Sequence, residues 1–132
     1  MPRSFFVLAL LTIFAASTAS AQGTKGFVPI GTYALTPDSG YAGPDIAGLV
    51  AVFSKDSMMV VSSPDGGLVV KSKLTFAGAV VTLNDLDGTN VCASAGKYQV
   101  SGDAKVMKLK SIADGCPDRA AIVDFLKFVK QQ

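Results

Sequence analysis

The sequence predicts an all-β fold, an up-and-down antiparallel β-barrel of about eight short strands with a C-terminal α-helix, on three observations. Apolar and polar residues alternate over short runs, clusters of Gly, Pro, Asn and Asp separate those runs, and helical spacing of apolar residues occurs only near the end of the chain. Hairpin after hairpin without a long crossover favours a meander over a sandwich. Closure of the meander then removes its exposed edges.

Residues 1–21 stand apart from this pattern. Arg3 supplies a basic start, Phe5 to Phe14 is nearly unbroken in its apolar character, and Ala19-Ser20-Ala21 has the small-x-small form of a signal-peptidase site. The apolar run falls short of the ~20 residues that span a bilayer. A cleaved signal peptide over 1–21 is expected, with Gln22 as the new N-terminus and a secreted or periplasmic product. No cysteine follows the cut, which argues against a lipoprotein anchor, and no stable membrane insertion is expected after cleavage. Residues 22–132 are then a single domain of about 110 residues, comprising the barrel and its helix.

The strands follow in order. Phe27 to Leu35 is the first, and a Gly- and Pro-rich stretch from Thr36 to Gly48 follows it. That stretch reads either as a binding loop or as a solvated connector. Leu49 to Ser54 and Met58 to Ser63 are apolar, β-branched runs joined by Lys55-Asp56-Ser57, and Pro64-Asp65-Gly66 is a turn signal. Leu68 to Phe76 carries Leu68, Val70, Leu74 and Phe76 on one face and Lys71, Lys73 and Thr75 on the other. Ala79 to Asn84 is the next strand, ended by Asp85-Leu86-Asp87-Gly88. Gly96 to Ser101 and Lys105 to Ser111 pair across Gly102-Asp103, and Ile112, out of phase, marks a bulge or the strand's end.

The closing segment reads as a helix from Pro117. Pro suits a first helical position and Asp118 the positive end; Ile122, Phe125, Leu126 and Val129 recur at three- and four-residue spacing; Lys127 and Lys130 suit the negative end. Its apolar stripe would lie against the sheet.

Composition narrows the function. Beyond Arg3 there are eleven basic and ten acidic side chains, the basic ones scattered, so the basic stripe that nucleic acid requires is absent. There is no histidine. The usual general base, transition-metal ligand and Ser-His-Asp device are therefore missing, and neither an enzyme, nor a metal, nor a cofactor is expected. All acidic side chains are Asp, and Asp65, Asp85, Asp87 and Asp103 sit in turn-like settings beside Gly, where turn chemistry explains them better than acid–base catalysis.

Two cysteines in an exported chain most economically pair. A Cys92–Cys116 bridge would close a loop of about 25 residues and stabilise by about 3.5 kcal/mol on the loop-entropy model. Gly31-Thr32-Tyr33, Cys92 with Gly96-Lys97-Tyr98, and Asp114-Gly115-Cys116-Pro117-Asp118-Arg119 together resemble the small secreted lipocalin-like proteins of the calycin class. That resemblance spans most of the domain. It implies binding of small apolar or amphiphilic molecules.

Arg119 is the lone arginine beyond Arg3. It reads as a ligand-contacting cation or, in preference, as a structural plug over one barrel end, stacked on Tyr33 or Tyr98 much as the resemblance to lipocalins implies. Tyr33, Leu35, Phe53, Leu74, Phe76, Leu83, Tyr98, Val100, Met107 and Leu109 share the apolar faces of successive strands. They are the candidate lining of a ligand pocket. The expected function is binding of a small hydrophobic or amphiphilic ligand, the alternative being a protein-interaction module, such as a barrel-type protease inhibitor, that acts through its loops.

Overall fold

The computed structural model describes residues 27–62 and 65–132, so the expected signal peptide lies outside the described residues. Eight antiparallel strands form a closed barrel in sequence order: β1 (Gly31–Pro37), β2 (Leu49–Phe53), β3 (Ser57–Ser62), β4 (Leu68–Ala77), β5 (Val80–Asp87), β6 (Gly96–Gly102), β7 (Val106–Asp114) and β8 (Leu126–Lys130). A seven-residue helix, α1 (Pro117–Val123), lies between β7 and β8.

The one long departure from expectation is the closing segment. The helix stops at Val123, where the amide of Asp124 bonds back to the carbonyl of Ala120, and the chain then extends as β8. β8 pairs with β1 from Tyr33↔Lys130 to Pro37↔Leu126 and with β7 at Val106↔Val129 and Met107↔Phe128. Seven strands would leave β1 and β7 with unpaired backbone groups. An eighth strand satisfies both edges, and that outweighs the helical spacing of Phe125 and Val129. Asp124 fixes the changeover by accepting hydrogen bonds from both the amide and the hydroxyl of Ser111 on β7.

The barrel has two dissimilar ends. The lower end carries the start of β1 and the tight β2–β3, β4–β5 and β6–β7 turns. At the last of these Gly102 adopts φ +90° and the carboxylate of Asp103 accepts the amides of Lys105 and Val106, so Asp103 serves the turn as expected. The upper end carries the 38–48 loop, the 88–95 loop and α1. Side chains fill the lower half: Tyr33, Phe53 and Phe128 meet edge to face at 5.3 and 5.9 Å, packed among Leu74, Val81, Val100, Met107 and Leu109.

Two register shifts matter for the upper end. In β7, Ser111 faces Tyr98 while Ala113 faces Lys97, so Ile112 is an extra residue and stands 56% exposed. This is the bulge reading of Ile112. In β5, Asp85 faces Ser72 while Asp87 faces Lys71, which leaves Leu86 as the extra residue, also exposed. A bulge turns two successive side chains outward and resets the alternation beyond them. Past Ile112 and Ala113, Asp114 is thereby returned to the interior.

Candidate functional site

The polar centre of the upper end is built on Arg119. Its Nε donates to Asp114 Oδ2 at 2.8 Å and its Nη2 to Asp114 Oδ1 at 2.7 Å, a two-point fork, and Nη2 also donates to the carbonyl of Ser94 at 2.7 Å. Nη1 lies 3.1 Å from Asp85 Oδ2, an ion pair without hydrogen-bond alignment. Arg119 thus joins α1, the end of β7, β5 and the 88–95 loop. The Asp85 carboxylate also accepts the Ser72 hydroxyl at 2.7 Å and the Cys92 amide at 3.0 Å. The Asp114 carboxylate also accepts the Cys116 amide at 2.7 Å and the Tyr98 hydroxyl.

Burial makes these bonds strong. The side chains of Asp85 and Asp114 are 3% and 1% exposed and that of Arg119 is 11% exposed. Burial opposes ionisation of Asp114, but the Arg119 guanidinium, the Tyr98 hydroxyl and the Cys116 amide outweigh it and hold the carboxyl below its ordinary range. The fork to Asp114 raises Arg119 further above its already high value despite its burial. Burial first, and then the adjoining Asp114 carboxylate, push the Tyr98 phenol up, so Tyr98 is a neutral donor.

The Cys92–Cys116 disulfide is present and sits directly against this centre, since the amides of both cysteines bond to its carboxylates. Tyr98, Asp114, Cys116, Arg119 and Gly96 form one interlocking unit. Tyr98 donates to Asp114, Asp114 takes Arg119, Cys116 starts the helix that carries Arg119, and Gly96 leaves the space that the fork occupies. A Cβ at Gly96 would lie 2.7 Å from both Arg119 Nη2 and Asp114 Oδ2.

Above the packed lower half lies a cavity of about 520 Å³. Leu83, Met58, Val60 and Leu35 line it from the barrel wall, Val69 and Val70 from the start of β4, Ile46, Pro44 and Leu49 from the region of the 38–48 loop, and Ile122, Val123 and Leu126 from the helix side. Its polar lining is Ser72, Asp85, Asn90, Asp118 and Arg119, together with the disulfide. Asn90, Val91, Pro44 and Asp118 are exposed, so the cavity meets the surface between the loops and α1. A smaller cavity of about 320 Å³ lies under the 38–48 loop and shares Leu35, Pro44 and Ile46 with it. The loop is therefore more than a solvated connector: Ile46 is 5% exposed, and Asp38 ties the loop's start to β7 through Lys108 at 2.6 Å.

The expected pocket residues divide by height in the barrel. All ten face the interior side, but only Leu35 and Leu83 line the large cavity. Tyr33, Phe53, Leu74, Tyr98, Val100, Met107 and Leu109 are buried in the packed core, and half-buried Phe76 packs against that core. Arg119 does close part of the upper end, but it does not stack on Tyr33, whose hydroxyl donates to Ala104 at the lower end. It reaches Tyr98 through Asp114.

Asp85 is no turn residue. It is a buried member of β5, unlike Asp87 and Asp65, which accept nearby loop amides from Gly88 and Gly67. The lining residues missed in the sequence are chiefly Ile46, Val60, Ile122 and Leu126. Alternation of Leu126 and Phe128 with Lys127 was the available sign of a strand. Nothing local marks Ile46.

Among the described residues no group of His, Cys, Asp and Glu side chains is arranged to hold a metal ion, and no helix is long and apolar enough to cross a membrane. Compared with family models, with curated proteins and with solved structures, the chain has no match.

Proposed function

We propose that the chain is an exported binding protein that holds a small, predominantly apolar molecule in the upper cavity without transforming it. The observation that carries this reading is the cavity itself. At about 520 Å³ it falls in the size range of small-molecule pockets, roughly 300–1,000 Å³, and it combines apolar walls with a few convergent polar groups. The disulfide supports export, because such bridges persist in oxidising compartments. The reading as a binder that does not transform its ligand is supported by how the buried carboxylates are used: Asp114 accepts from Tyr98, Cys116 and twice from Arg119, and Asp85 accepts from Ser72 and Cys92 beside the Arg119 guanidinium, so both act as structural acceptors.

The test is titration of the purified protein with Nile red, an uncharged dye whose emission rises in apolar surroundings. Saturable binding is expected, weakened by Val70→Phe and Ile122→Trp, which put bulk into the cavity, and unaffected by Val106→Phe on the exposed face of β7. Absence of saturable binding, or equal loss in all three variants, would instead favour the protein-interaction module acting through its loops.

A further inference from the structure

We infer that this cavity, taken as the binding site proposed above, accepts uncharged and cationic apolar molecules and excludes carboxylate anions. The inference rests on a charge inventory of the cavity. Its charged lining is Asp85, Asp118 and Arg119, two carboxylates and one guanidinium, and Asp114 stands immediately behind the guanidinium. No lysine lines it. The strand lysines Lys71, Lys73, Lys97, Lys108 and Lys110 alternate outward and are exposed.

Among the described residues Arg119 is the one cation lining the cavity, and two of its three guanidinium nitrogens are already engaged. Nε and Nη2 are committed to Asp114 and Ser94, and Nη1 is buried beside Asp85. A ligand carboxylate that displaced Asp114 from the fork would leave that buried carboxylate uncompensated, which returns the cost it relieves. A carboxylate that stayed clear of the fork would lose its hydration among apolar walls; among the described residues its polar neighbours would be Asn90, Ser72 and Arg119 Nη1, and because Nη1 lies 3.1 Å from Asp85 Oδ2 that approach sets two carboxylates side by side.

The outer rim reinforces the choice. Asp118 is exposed at the first turn of α1 and lines the cavity beside the opening, so an entering head group meets a negative charge. In a concave site with low-dielectric walls such a charge acts over a longer range than on open surface. An amine head is drawn to this rim with its chain directed between Met58, Val60 and Leu83. An alcohol is indifferent to it, and a carboxylate is repelled.

The experiment displaces Nile red with lauryl alcohol, laurylamine and laurate at neutral pH, each below its micelle threshold, using the full exported protein. Laurate is expected to bind roughly tenfold or more weakly than lauryl alcohol, a difference of about 1.4 kcal/mol or greater. Asp118→Asn should move the laurate-to-laurylamine affinity ratio several-fold toward laurate, whereas Asp56→Asn, at the lower end, should leave that ratio unchanged. Laurate binding as tightly as lauryl alcohol overturns the inference, as does a ratio insensitive to Asp118→Asn. If Nile red itself fails to bind, the cavity reading falls and the inference falls with it, an outcome distinct from binding with the wrong charge preference.

Discussion

Arg119 on α1 and Asp114 at the end of β7 form a two-point fork, Nε to Oδ2 at 2.8 Å and Nη2 to Oδ1 at 2.7 Å, that holds the helix onto the barrel rim. Planarity is essential to it, since an ammonium cannot present two parallel donors. Arg119→Lys is expected to destabilise by about 1–3 kcal/mol through lost hydrogen bonds. Arg119→Met, which strands both Asp85 and Asp114, should cost about 3–5 kcal/mol. Urea denaturation measures both; a lysine variant as stable as the parent would show that the fork contributes only charge.

The same pair sets an acid limit. The carboxyl of Asp114 is held below its ordinary value of 3.8, so the folded state binds its proton less readily than the unfolded chain. Its contribution to stability is therefore fully present above that ordinary value and is lost as pH falls from there through the depressed folded value. Asp114→Asn should be less stable than the parent at neutral pH and should lose less on acidification over that window. Equal acid slopes in the two proteins, read from denaturant midpoints at successive pH values, would assign the acid response to other carboxylates.

The Cys92–Cys116 bridge joins the 88–95 loop to the start of α1 beside both buried carboxylates. Reduction, or paired Cys→Ser replacement, should lower stability by about 2–5 kcal/mol. Because both cysteine amides bond to the Arg119 centre, the loss should be accompanied by weaker Nile red binding in the upper cavity. A reduced protein with an unchanged denaturation midpoint would contradict this.

Gly96 is required for space. Its φ is not left-handed, yet an added Cβ would approach Arg119 Nη2 and Asp114 Oδ2 to 2.7 Å, and both of those groups are held by further bonds. Gly96→Ala should destabilise by about 1–3 kcal/mol as an overpacking change. If Gly96→Ala costs the same in an Arg119→Met background, the clash lies elsewhere than at the fork.

Phe128 and Phe125 separate the strand from the helix in the closing segment. Phe128 is 2% exposed and packs 5.9 Å from the Phe53 ring, whereas Phe125 is half-buried near the rim. Phe128→Ala should cost about 3–5 kcal/mol and Phe125→Ala distinctly less. A helix continued past Val123 would put Phe125 and Val129 on its buried stripe and reverse that order in thermal or denaturant unfolding.

Strand content and phase were legible because a half-buried strand must alternate its side chains, and the turns between strands use residues with specific backbone tolerances. Leu74, Leu83, Tyr98, Val100, Met107 and Leu109 are interior on that basis alone. The closing segment was not legible in the same way. Ile122, Phe125, Leu126 and Val129 satisfy a helical period, while Leu126 and Phe128 also satisfy a strand period, and a short apolar run cannot arbitrate between the two.

The sequence by itself determined a disulfide-bridged antiparallel barrel, since alternation, turn chemistry and two cysteines are local or nearly local properties. Tertiary structure alone decided three further things. β8 forms because β1 and β7 each need a partner, a requirement visible only once the sheet curls round to meet itself. Asp85 and Asp114 become a buried pair around Arg119 because register places Asp85 opposite Ser72 and a bulge at Ile112 turns Asp114 inward. The interior divides into a filled lower half and an open upper cavity because Tyr33, Phe53 and Phe128 converge from three different strands, and the space that side chains leave between them is a property of their joint packing.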